Sequence, residues 1–79
     1  MNRNELILFL NKVVFLELEE KLYYTCKILH VGEDSFTFID KFEITASREI
    51  KLIKEITEIK DQKILDLFKS FEEDDNNDE

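Results

Sequence analysis

The 79-residue chain has no proline and no tryptophan, one glycine, one cysteine and one histidine. A single cysteine excludes an internal disulfide, and a single histidine excludes a Cys/His metal cage built from one chain. No Ser, Cys or Lys nucleophile has a recognisable base and orienting partner. His30 stands alone, so neither an enzyme nor a cofactor is expected. Charges interrupt every apolar run, which leaves no membrane-spanning segment. The apolar run Leu6 to Leu10 is closed by Asn11 and Lys12. It is too short for a signal-peptide core, and no small-residue cleavage site follows. With one free cysteine and no targeting segment, the expected setting is reducing and cytoplasmic.

A strong basic footprint is also missing. Net charge is −8, and six of the nineteen acids sit in the last eight residues, EEDDNNDE. The remaining body is nearly balanced, so acidity belongs mainly to the tail. Whole-chain charge therefore points away from nucleic acid, while a local basic surface stays compatible with it. A domain of this size buries only about 60% of the surface its unfolded chain exposes. With disulfide and metal staples excluded, oligomerisation is the expected route to further burial.

What the chain does have is β-branched and aromatic density from Val13 to Asp40. Strand one is expected over Lys12 to Glu19, with Val14, Leu16 and Leu18 on one face. Glu20 and Lys21 make a tight charged turn, without the glycine that would announce a primed hairpin. Strand two covers Leu22 to Val31. Gly32, Glu33 and Asp34 form the next turn, with glycine free to take positive φ. Strand three covers Ser35 to Phe42, with Phe36, Phe38 and Phe42 sharing a face. Ile50 to Ile53 reads as a fourth strand and Glu55 to Ile59 as a fifth. Isoleucines at 50, 53, 56 and 59 also permit a helix from Ala46 onward.

Two helices flank these strands. Asn2 and Glu5 resemble a capping pair opening a helix to Asn11, with Leu6, Phe9 and Leu10 on one face. Asp61 caps a second helix ending at Phe71, with Ile64, Leu67, Phe68 and Phe71 as its stripe. The domain reading is a barrel-like unit 1–60, this amphipathic helix 61–71 and a disordered acidic tail 72–79.

A short helix followed by strands on very short turns resembles the Sm-like superfamily (Sm, LSm and Hfq-type proteins). The stretch LNKVVFLELEEKLYYTCKILHVGEDSFTFIDKF is similar to its first motif, and IKLIKEITEI to its shorter second one. The resemblance implies a mostly β fold: a small, strongly bent five-stranded Sm-like barrel (SH3-type) with a short N-terminal helix and a C-terminal helix. It also implies rings, in which strand four of one subunit pairs with strand five of the next, and single-stranded RNA bound around the pore. The chain lacks the family's Met-Asn element before strand three and its Arg-Gly ending of strand four. A glycine usual in strand two is replaced near Cys26.

Four residues carry the RNA reading. Phe36 lies where the family places a base-contacting residue, and a stacked base is worth about 1–3 kcal/mol. Lys54 would supply charge, and Asp34 and Ser35 hydrogen bonds. The competing reading puts Phe36 in the core with Phe38 and Phe42, and makes Lys54, Asp34 and Ser35 ordinary surface and turn residues. Cys26 is expected to be a small buried apolar residue. The expected function is a non-catalytic, homo-oligomeric ring binding single-stranded RNA. The alternative is a protein-interaction or scaffold module on the same barrel that has lost RNA binding. The missing motif elements and the negative charge favour the alternative. Partners are then other copies of the chain and single-stranded RNA, with no small-molecule substrate.

Overall fold

The computed structural model describes residues 1–69. The expected helix end at Phe71 and the tail 72–79 lie outside them. Five strands form one antiparallel sheet: β1 Val13–Leu18, β2 Leu22–Val31, β3 Ser35–Asp40, β4 Thr45–Glu49 and β5 Ile53–Glu58. The spatial order is β4-β3-β2-β1-β5. β4 and β5 do not pair with each other, so the sheet is not closed into a barrel and its two edges are the fourth and fifth strands.

The pattern behind β1 to β3 is alternation, shifted once in β2 by an irregularity between Ile28 and His30 that brings Val31 onto the face of Ile28. Val14 pairs with Cys26, and Leu16 with Tyr24; Ile28 pairs with Phe38, and Val31 with Phe36. Directly opposed residues share a face, so these eight form one apolar surface. Val14, Leu16, Cys26, Ile28, Phe36 and Phe38 are fully buried. Phe36 and Phe38 pack with ring centroids 5.6 Å apart, and Tyr24 lies 4.9 Å from Phe38. Burying each such ring stabilises the fold by about 1.5–3 kcal/mol.

The N-terminal helix closes one end of this core. Glu5 N donates to Asn2 Oδ1 at 2.9 Å, and Asn2 N donates to Glu5 Oε1 at 3.1 Å, which is the anticipated capping box. The α-helix α1 covers only Arg3–Leu6, followed by a 3-10 turn Ile7–Phe9. Leu6 is buried and Phe9 packs on the core, while Leu10 faces solvent. Asn11 takes φ 66°, a left-handed conformation that asparagine tolerates well, and this stops the helix before β1.

Three further expectations change. The fourth strand is Thr45–Glu49, and Ile50–Leu52 is a 3-10 turn between β4 and β5. A 3-10 turn repeats every three residues, which sets Ile50 and Ile53 facing the core together. The ladder then slips between Glu17 and Leu18, so that β5 carries Lys54 as an extra residue and Ile56 returns to the inner face. Period three in isoleucine thus comes from a turn plus a bulge, and the rival helix from Ala46 does not form. Second, β3 ends at Asp40, not Phe42. Asp40 Oδ1 accepts from Phe42 N at 2.9 Å and Ile44 N at 3.0 Å, which bends the chain away and leaves Phe42 71% exposed. Third, Gly32 does not use positive φ. An added Cβ would lie 3.2 Å from the Ser35 carbonyl oxygen, which accepts from Gly32 N at 2.8 Å. Close approach accounts for the glycine.

Positive φ falls instead on Glu20 and Lys21, at 67° and 61°, in the three-residue β1–β2 loop. The second helix, α2 Gln62–Asp66, starts at Asp61, whose Oδ1 accepts from Lys63 N at 2.9 Å. Phe68 is buried, whereas Leu67, placed in the expected stripe, is half exposed.

Candidate functional site

The four residues singled out from the sequence do not converge. Asp34, in the β2–β3 turn, and Ser35, the first residue of β3, are exposed. Asp34 lines an open cleft of about 460 Å³ with Arg3, Glu33, Glu49 and Lys51, where three carboxylates face two cations. The Asp34 carbonyl accepts from Ile50 N at 2.8 Å, so the turn is tied to the end of β4. Phe36 follows Ser35 but points inward and is 0% exposed. It offers no ring face to a base, and the core reading of this residue holds. Lys54 is on β5, away from that cleft's lining, with its Nζ 4.0 Å from Glu17 Oε2.

The exposed aromatic surface lies elsewhere. Phe15 and Tyr23, from β1 and β2, stack at 6.0 Å between centroids on the outer face. They are 44% and 54% exposed. With Thr25, Asp40, Lys41 and Phe42 they line a shallow recess of about 360 Å³. Lys41 Nζ lies 5.4 Å from the centre of the Phe42 ring, a cation–π distance. Alternation in β1 already put Phe15 on the polar side, which was the available signal for this patch.

Other candidate chemistry is quiet. Cys26 is buried, and burial pushes its thiol from 9.0 up to about 12, with the Asp40 carboxylate adding to the rise. Such a thiol stays protonated and is a poor nucleophile at neutral pH. Among the described residues no group of His, Cys, Asp and Glu is arranged to hold a metal ion. No described helix is long and apolar enough to cross a membrane.

Among the described residues, unused backbone hydrogen-bonding capacity lies along the two sheet edges. β4 and β5 each have one strand neighbour, β3 and β1 respectively. Each therefore presents a row of backbone N–H and C=O groups on its outer side. Comparison with known proteins finds no matching family model, no matching curated protein and no matching solved structure.

Proposed function

We propose that the chain is a non-catalytic Sm-like module that joins copies of itself edge to edge into a closed ring, and that the ring serves as a protein-interaction scaffold. One observation carries this reading. The sheet ends in β4 on one side and β5 on the other, with no proline in the chain to blunt either edge. An open edge is a template for pairing, and a head-to-tail contact between unlike edges closes into a ring when the rotation permits. The small core supplies the thermodynamic reason, because assembly adds the burial that one chain lacks. The same two strands are those that the Sm-like resemblance assigns to the subunit contact.

Single-stranded RNA is the second reading, and the exposed Phe15–Tyr23 stack is what favours it. With Phe36 in the core, this pair and Phe42 are the rings with room for a base. The balance of charge works against it. Light scattering coupled to size-exclusion chromatography on the full chain tests the assembly. A discrete species of several subunits is expected, and a monomer at every concentration overturns the proposal. Titration of that species with oligo-U and oligo-A at low salt separates the readings. Absence of binding supports the scaffold. Salt-sensitive binding lost in Phe15→Ala supports RNA.

A further inference from the structure

The register of the edge contact can be read from backbone direction and charge. In an antiparallel ladder each residue points its N–H and C=O to one side, and neighbours alternate. Asp40 N donates to Ile44 O at 3.0 Å, and Ile50 N donates to Asp34 O at 2.8 Å. With the β3–β4 register, the even positions of β4 therefore face β3, and Thr45, Ser47 and Glu49 turn their backbones to the free edge. On the other side, Ile59 N donates to Val13 O at 2.9 Å. With the β1–β5 register, Glu55 and Thr57 face β1, and Ile56 and Glu58 turn outward, while Lys54 sits in the bulge, where alternation breaks.

Antiparallel pairing of β4 with β5 of a second copy must match odd positions of one strand to even positions of the other. Few registers satisfy this. In one of them Thr45 meets Glu58, Ser47 meets Ile56 and Arg48 meets Glu55. Four of the five β4 residues then meet regular β5 positions, and Arg48 meets an opposite charge. A slip of two residues one way sets Arg48 against Ile53. A slip the other way sets it against Thr57. Neither slipped register pairs any opposite charges.

Both central partners need what this register supplies. Glu55 lies directly across from Glu17 in the β1–β5 ladder, and like charges so placed repel. Lys54 contacts Glu17, while Glu55 has no ion pair among the described residues. Arg48 sits on the inner side of an edge strand, across from Phe36. Its guanidinium donates to its neighbour Ser47 O at 2.8 Å and to Tyr24 Oη at 3.4 Å. Neither acceptor is a carboxylate. We infer that the partner of this edge is a second copy of the chain, held in the register in which Arg48 of one subunit pairs with Glu55 of the next. This inference rests on the ring reading above and gives it a specific contact. A β4–β5 contact also employs both edges of every chain, whereas β5 against β5 leaves every β4 bare.

Charge exchange on the full chain tests it, with assembly read by light scattering and folding by circular dichroism. Arg48→Glu and Glu55→Arg are each expected to weaken assembly by roughly tenfold or more per contact. Mixing the two folded variants in equal amounts is expected to restore assembly, since every mixed contact is again opposite in charge. The mixing experiment needs no double variant. The milder Glu55→Gln serves if Arg48→Glu does not fold. Glu58→Arg is expected to leave assembly in place. If the wild type assembles but mixing restores nothing, or if Glu58→Arg is the change that abolishes assembly, the register is overturned while the ring reading stands. If the wild type is a monomer throughout, the ring reading fails first.

Discussion

The central strands β2 and β3 and the edge strands β4 and β5 follow different rules. In the centre, fully buried residues alternate as Phe36 and Phe38 in β3 and Cys26 and Ile28 in β2, and a one-residue slip would turn Phe36 and Phe38 to solvent. At the edges the pattern thins out. β4 reads TASRE, with no residue fully buried, and β5 buries only Ile53. The centre specifies its pairing through burial. The edges carry little burial, so backbone direction and charge are left to specify theirs.

That contrast can be broken at four points, taken from the largest expected effect to the smallest. Phe38→Ala removes a fully buried ring and is expected to cost about 3–5 kcal/mol; urea denaturation measures it. A loss below 1 kcal/mol would mean that the centre is not the stabilising half. Cys26 tests the same core by pH. Its folded pKa is raised to about 12 from 9.0, so above pH 9 the unfolded state loses its thiol proton before the folded state does. This contribution is intact below pH 9 and is lost progressively as pH rises toward 12. In Cys26→Ala the alkaline slope of stability should flatten, and an unchanged slope would place its origin elsewhere.

The third point separates the edge from the ladder it belongs to. Thr57→Pro deletes an N–H that faces β1 and should cost the monomer about 1–3 kcal/mol. Ile56→Pro deletes one that faces outward, so it should cost the fold clearly less while abolishing self-association. Equal losses of fold stability would refute the assigned backbone directions. The smallest effect concerns the β1–β2 loop. Lys21→Gly relieves a side chain held at φ 61° and should raise stability by about 1 kcal/mol, seen as a higher Tm.

The two regions are legible in the sequence to different depths. The alternation of Val14, Leu16, Ile28 and Phe38 identified β1 to β3 because burial and period coincide there. The capping box of Asn2 and Glu5 and the N-cap Asp61 were legible because each is a local, short-range device. The fourth strand was misplaced onto Ile50–Ile53 because isoleucine density there marks residues that plug the core from a 3-10 turn. The strand itself, Thr45–Glu49, is polar and signals little. The candidate site suffered in the same way. Phe36, placed in a turn-proximal binding role by resemblance, is instead held in the core by its pairing with Val31, while the exposed stack of Phe15 and Tyr23 needs two strands in register before it exists.

By itself the sequence determined that the chain is small and β-rich and that no disulfide can form within it. These properties follow from composition, local pattern and short-range capping. Only the tertiary structure decided which strands lie at the edges, which backbone groups face outward, and that Glu55 stands across from Glu17. Those features depend on a bulge in β5, on the Asp40 turn and on long-range pairing of β5 with β1. No local stretch of residues encodes the partner it will meet across a sheet.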